Sequence, residues 1–216
     1  MRGVTDFASA PRRRWAGLAG LVAFSGNVLG VVALADVPSA YRLGRLDAWV
    51  REAQSSPVAS TLSALSFAAG LLGLAAWVRE FGAEQGGTRA RSGADLAAAT
   101  ALVNAAASLV PAAVALRHGC ASTDCHALGR TLLRLSLSVD ALFNLGLGVG
   151  LVLIAVPPRR ERMRLLALAA GLASIPVAGQ ALWDPAARLL VIAGPLWLAL
   201  VLTTSVRWLS RHAARA

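Results

Sequence analysis

The chain has 216 residues, of which 56 % are apolar and only 15 % are charged, and its mean hydropathy is +0.61. Soluble globular domains carry about 25 % charged residues, so this composition excludes an ordinary soluble protein and indicates an integral membrane protein. A net charge of +10 would suggest nucleic-acid binding in a soluble chain, but the placement of the arginines explains it here, and we predict no nucleic-acid partner.

Six apolar stretches follow one another along the chain, each near the 20 residues that a bilayer span needs. They cover residues 15–37, 57–78, 95–116, 132–156, 164–183 and 188–206. We therefore predict an all-α fold: a polytopic transmembrane helical bundle of six spans, arranged as three antiparallel helix hairpins. Only short loops and tails remain, so residues 1–216 are predicted to form a single integral membrane domain.

The arginines predict the orientation in the membrane. With the N-terminus inside, 14 of the 21 basic residues, all of them Arg, fall on the cytoplasmic side, and 7 fall outside. Because basic residues concentrate in cytoplasmic loops, both termini are predicted to be cytoplasmic, with the clusters at 12–14 and 159–160 against anionic lipid headgroups. A chain rich in Ala, Arg, Gly and Leu without Lys is typical of GC-rich bacteria, which predicts the bacterial plasma membrane.

The first span has a second interpretation. Three arginines precede it and Ala33-Leu34-Ala35 ends it, which is also the order of a signal peptide with a small-residue cleavage site. Its apolar stretch of about 20 residues exceeds the 7 to 15 of a usual signal core, which favours a membrane span. Cleavage at this site remains the alternative.

The longest connection, residues 36–56, contains an amphipathic segment with Tyr41, Leu46 and Trp49 among its apolar residues. We predict a short helix in the membrane interface, where Trp and Tyr are favoured, as they are at the ends of the spans. The span-end tryptophans are Trp15, Trp77, Trp183 and Trp208. The alternative for this segment is a lid over an outward-facing cavity.

Small residues recur at spacings that let helices approach closely. Gly26 and Gly30 in the first span, and Gly146 and Gly150 in the fourth, are each four residues apart. This pattern is common at contacts between membrane helices, so we interpret it as helix packing.

Asp140 is the most informative residue, because an ionisable group inside the hydrocarbon costs about 2.5 to 3.5 kcal/mol on insertion scales and marks a candidate functional site. Polar residues recur every four positions around it on the fourth span and in a matching stripe on the third. Depth counting places Ser108 near Asn144 and Gln180 level with Asp140. The intramembrane candidates are Asp140, Asn144, Asn104, Asn27, Ser108 and Gln180.

Two interpretations of these polar residues stay open. In the first, they line a pathway in which Asp140 binds a proton or cation during transport. In the second, they hydrogen-bond one another and fix the helix register, with Asp140 neutral or paired to an arginine such as Arg134.

The predicted outer loop holds both cysteines of the chain. Cys120 and Cys125 face an oxidising compartment in this topology, which predicts a disulfide between them. Zinc is an alternative, since His118, Cys120, Cys125 and His126 are ligand types that it accepts, although adjacent ligands at 125 and 126 strain a tetrahedral centre. The Cys-x-x-Cys motif of redox enzymes is absent.

No catalytic motif is present, and we predict no cofactor. Three functional hypotheses follow: a non-enzymatic subunit, scaffold or accessory factor with a protein partner or a second copy of itself; a small transporter or permease-like protein that uses Asp140; and an outer-face enzyme or redox protein that uses the Cys/His loop. A cavity that reaches Asp140 favours the second hypothesis, and a dry bundle favours the first.

Overall fold

The computed structural model describes residues 5–117, 123–156 and 161–213, which are helical with short connections. The α-helices are α1 (Thr5–Ala33), α2 (Leu46–Ser55), α3 (Pro57–Gln85), α4 (Thr88–Ala107), α5 (Val110–Ala115), α6 (Thr123–Ala155), α7 (Glu161–Val177) and α8 (Leu190–Ala213). Short 3-10 turns follow α1 and α7 and precede α2 and α8.

Six helical segments of the described chain are long and apolar enough to cross a membrane. They are Pro11–Asp36, Pro57–Gln85, Thr88–Ala115, Asp124–Ala155, Met163–Ala181 and Asp184–Arg211. Several extend beyond the predicted spans, because the polar ends of a helix add length without adding apolar residues. The prediction of an all-α protein with six such helices is confirmed. Its orientation and hairpin pairing stay predictions.

The long helices pack as a ring in chain order. α1 packs on α3, α3 on α4, α4 on α6, α6 on α7 and α7 on α8, and α8 packs in turn on α1. The contact between α1 and α8 therefore closes the ring. Any space left inside it is bordered by helices from both halves of the chain.

Glycines allow the tightest of these contacts. A Cβ atom on Gly150 would lie 2.5 Å from the Gly93 carbonyl oxygen, and one on Gly171 would lie 2.7 Å from that of Gly148. A Cβ atom on Gly26 would lie 2.6 Å from the Ser66 carbonyl oxygen. Backbones this close leave no room for a side chain, which is the usual way in which small residues join membrane helices.

Prolines shape two of the helices that carry polar candidates. Pro111 has no N–H to donate to the Ala107 carbonyl, and the helix is interrupted there, between the end of α4 and the start of α5. The Ser136 hydroxyl donates to that same carbonyl at 3.0 Å. Pro176 similarly precedes the point where α7 tightens into the 3-10 turn Ala178–Ala181, which carries Gln180. Both irregularities lie beside α6.

We call the end of the ring where α1 begins and α8 ends the terminal end. There Arg12 Nε lies 2.6 Å from Glu80 Oε2, and Arg207 Nη2 lies 2.6 Å from Glu84 Oε2. Arg12 belongs to one predicted headgroup-binding cluster; the other, residues 159–160, lies outside the described residues.

Two of the four span-end tryptophans pack between helices rather than on the surface of the bundle. Trp77 stacks on Phe81 with ring centroids 5.0 Å apart, and Trp208 lies 6.3 Å from Trp77. Trp77 and Trp208 are buried, whereas Trp15 and Trp183 are exposed. Aromatic packing therefore fills the terminal end between α1, α3 and α8.

The opposite end, which we call the loop end, carries α2. This is the predicted amphipathic helix, but its apolar side faces protein: Trp49 is 1 % exposed and packs in a cluster with Val114 and Leu133. On α2, the Glu52 carboxylate accepts hydrogen bonds from Ser39, which precedes the helix: from its backbone N–H at 2.7 Å and from its hydroxyl at 2.8 Å. The connection is thus folded onto the bundle.

Candidate functional site

Asp140 is held by three side-chain amides. Asn104 Nδ2, from α4, donates to Asp140 Oδ1 at 2.8 Å. Gln180 Nε2 donates to Oδ2 at 2.5 Å, and Asn144 Nδ2, one turn along α6, donates to Oδ2 at 3.2 Å and to the Asp140 carbonyl at 2.9 Å. One carboxylate therefore joins α4, α6 and the turn after α7.

This carboxylate has donors but no cation beside it. No Arg nitrogen of the described residues lies within ion-pair distance of Asp140, and Arg134 is exposed instead. A carboxylate offers about four lone-pair positions, and the three amides occupy three of them. Capacity for one more donor remains on Oδ1.

The carboxylate borders a cavity of about 530 Å³ inside the ring, towards the loop end. Such a volume lies within the range of about 300 to 1,000 Å³ that small-molecule sites occupy. The polar residues of its lining are Asn27, Tyr41, Asn104, Ser108, Asp140 and Asn144. The remaining lining is apolar and comes from α1, α3, α6, α8 and the Leu34 turn, so the cavity has one polar patch within apolar walls.

The other polar candidates are arranged differently around this patch. Asn27 lines the cavity but donates to the Ala23 carbonyl of its own helix at 2.8 Å, and the Ser108 hydroxyl donates to the Asn104 carbonyl at 2.8 Å. Depth counting predicted that Ser108 lies near Asn144, and this is wrong. Because the Ser136 hydroxyl donates to the Ala107 carbonyl, Ser108 lies at the level of Ser136. Gln180 is nearly fully buried and touches Asp140 from behind the cavity.

Tyr41 is a lining residue that sequence reasoning assigned to the membrane interface. It stands at φ +58°, a left-handed conformation unusual for a bulky residue, in the connection between α1 and α2. Its ring lies 5.1 Å from that of Trp49 and 6.1 Å from that of Phe67. Burial raises the pKa of the Tyr41 phenol, and the negative charge of Asp140 raises this pKa further.

Tyr41 provides a spectroscopic test of this arrangement, because it is the chain's single tyrosine. We expect its phenol, followed by absorbance near 295 nm, to ionise well above the ordinary pKa of about 10. Asp140→Asn removes the neighbouring charge, so the pKa of Tyr41 should fall but stay above the ordinary value, because burial is the larger cause. Asp95→Asn, on the exposed side of α4, should leave the pKa of Tyr41 unchanged. Ionisation near pH 10 in the unaltered protein would place Tyr41 outside the cavity.

The Cys/His loop is only partly described. His118 and Cys120 lie outside the described residues, so the zinc hypothesis and the disulfide both stay predictions. Cys125 is not a free thiol. His126 Nδ1 lies 3.7 Å from Asp47 Oδ1 on α2, which Arg130 Nη1 also approaches at 3.6 Å. This places the start of α6 beside α2.

No protein-family model, no curated protein and no solved structure matches this sequence.

Proposed function

We propose that this protein is a small permease-like membrane protein that binds a cationic substrate in the cavity beside Asp140. The observation that carries the proposal is a carboxylate without a cationic partner that borders a cavity of about 530 Å³. This arrangement favours the transporter hypothesis over an accessory subunit, because a bundle with a purely structural role has no need of the cavity.

The charge of the site supports a cation as the ligand. A buried carboxylate is costly unless it is paired or hydrogen-bonded, and the three amides offset part of that cost without neutralising the charge. A ligand cation would complete the pairing in a site of low dielectric, where the attraction is stronger than in water. The amides also fix the carboxylate in place before the ligand arrives, so little ordering is needed on binding.

The two ends of the ring support binding from one side. Towards the terminal end, the rings of Trp77, Phe81 and Trp208 fill the space between the helices. Towards the loop end, the cavity reaches Leu34 and Tyr41 of the α1–α2 connection. In the predicted orientation the cavity lies towards the outer side of a bacterial plasma membrane, and alternation with a second state that is accessible from the cytoplasm would complete a transport cycle.

Ethidium, a compact aromatic cation, is a suitable probe. We expect the protein in lipid nanodiscs to bind it, measured by fluorescence anisotropy, and Asp140→Asn to weaken binding at least tenfold, since removal of one charge partner in a desolvated site costs more than 1.4 kcal/mol. Ethidium uptake into DNA-loaded proteoliposomes should fall in parallel. Asp95→Asn removes an equally charged but exposed carboxylate and should bind as the unaltered protein does.

Two results would contradict the proposal. Equal ethidium affinity in Asp140→Asn and in the unaltered protein, with both folded, would show that the carboxylate is no binding group. Tight binding of ethidium without protein-dependent uptake would show that the protein binds cations but does not transport them.

A further inference from the structure

The cavity has a side opening between α1 and α8. These helices meet closely at the terminal end, where a Cβ atom on Gly17 would lie 3.0 Å from the Leu209 side chain. At the loop end, both helices line the cavity instead. The lining residues there include Val31 and Val32 on α1 and Val191 on α8, which are 62 %, 64 % and 77 % exposed. We call Val31, Val32 and Val191 the rim of the side opening. This apolar rim lies on the part of the ring surface that faces lipid in a membrane.

Gly194 keeps the space behind the opening free. A Cβ atom placed on it would meet nothing within 4 Å, whereas each of the other glycines evaluated within the described α-helices would meet a neighbour. Gly194 has no positive φ that would require glycine. Glycine in a helix costs about 1 kcal/mol relative to alanine, but glycine before Pro195 avoids the clash that a Cβ atom would have with the proline ring. The space beside Gly194 across the ring is not needed for packing. The effect of Gly194 is to widen the cavity.

Pro195 adds a polar group to the same wall. Because proline has no N–H, the Val191 carbonyl lacks its usual α-helical donor. Leu190, Val191, Gly194 and Pro195 all line the cavity. The first turns of α8 thus combine an open space with a backbone carbonyl whose helical hydrogen bond is missing.

We propose that the substrate of this site is a single-chain amphipathic cation that enters sideways from the lipid through the opening between α1 and α8. The proposal rests on the proposed function and names its substrate class. The cationic head binds beside Asp140, and the alkyl chain passes Gly194 and lies between Val32 and Val191.

The match between the site and this ligand is one of charge and shape. The polar patch contains one carboxyl group, that of Asp140, and lies on the inner side of the cavity, while the walls and the rim are apolar. An apolar chain lying across the rim stays in contact with lipid or with valines, so its transfer from the bilayer exposes no new apolar surface to water. A compact hydrophilic cation would leave these walls uncovered.

The test uses an alkyl trimethylammonium with a photoreactive diazirine at the end of its chain. The unaltered protein in lipid nanodiscs is irradiated with this probe, and the labelled residues are located by mass spectrometry. We expect adducts concentrated at Val31, Val32 and Val191, lowered at least tenfold in Gly194→Trp, whose indole fills the cavity, and in Asp140→Asn. An uncharged alcohol of the same chain length should label these positions at least tenfold less.

Leu172→Trp is the matched control, since it places the same bulky side chain on an exposed position of α7. It should leave the labelling unchanged. Val191→Trp, on the exposed rim, provides a second obstruction in case Gly194→Trp does not fold, and thermal unfolding of each variant checks its integrity.

The outcomes separate the two proposals. Ethidium binding that depends on Asp140, combined with adducts spread over all exposed apolar residues and indifferent to both obstructions, overturns side entry while the proposed function stands. Equal labelling by the alcohol overturns the cationic substrate class. The absence of Asp140-dependent binding of ethidium and of the ammonium probe overturns both proposals.

Discussion

Replacing Asp140 by leucine is expected to destabilise the protein strongly, by about 2 to 5 kcal/mol. The carboxylate accepts hydrogen bonds from Asn104, Asn144 and Gln180, and all three amides are at least nine-tenths buried. Each buried donor left without a partner costs about 1 to 3 kcal/mol, although membrane hydrogen bonds average lower values. Thermal unfolding in detergent, followed by circular dichroism, should show a Tm lower by roughly 5 to 15 °C.

Asparagine at the same position should cost far less. Its side-chain oxygen still accepts from one or two of the amides, so Asp140→Asn loses the charge but keeps part of the network. This difference makes Asn the variant of choice for the binding experiments and Leu the variant for stability. A leucine variant as stable as the unaltered protein would show that the amides find other partners and that Asp140 does not hold the helices together.

The contribution of Gln180 to this hydrogen-bond network can be measured separately. Its Oε1 atom is buried without a hydrogen-bond partner, so its contribution comes from the Nε2 bond to Asp140. In a double-mutant cycle, Gln180→Leu combined with Asp140→Leu should cost less than the sum of the single changes, because neither group is then left without the other. Additive losses would mean that the two side chains do not interact.

The sequence was most informative about patterns of residue type along single helices. Six apolar stretches of membrane-spanning length predicted the six long apolar helices, and glycine pairs such as Gly146 and Gly150 indicated close contacts. Counted depth also placed Gln180 level with Asp140, where the structure has the two in hydrogen-bond contact, but it paired the third span with the fourth in a different register from that of the observed Asn104–Asp140 contact. These properties depend on the local helix alone, which is why pattern and depth suffice.

Features that depend on how distant segments meet were missed. Tyr41 was assigned to the membrane interface by its residue type, but its positive φ and the folding of the α1–α2 connection direct its ring into the cavity. Nothing in the local pattern distinguishes Gly194 from the packing glycines, since the difference is the absence of a neighbour across the ring. The cavity is likewise a property of the ring and of no single span.

Replacing Gly150 by leucine is expected to have the second large effect, because the bulk would be placed against backbone. A Cβ atom there lies 2.5 Å from the Gly93 carbonyl oxygen and 2.8 Å from the Ala97 Cβ atom, so α4 and α6 would have to move apart. Overpacking costs about 1 to 3 kcal/mol where neighbours can yield, and backbone yields least. We expect a lower Tm than for the unaltered protein and a partly aggregated profile in size-exclusion chromatography.

Gly194→Leu is the matched control, since it adds the same side chain where the space across the ring is open. The gain in helix propensity is offset by contact of the new Cβ atom with Pro195, so the Tm should change little. The two variants also separate packing from binding. Gly150 and Asp140 lie on the same α4–α6 interface, so the fraction of Gly150→Leu that folds should lose the 2.8 Å Asn104–Asp140 hydrogen bond and bind ethidium more weakly. A Gly150→Leu variant with unchanged Tm and affinity would show that close packing of α4 on α6 does not position the carboxylate.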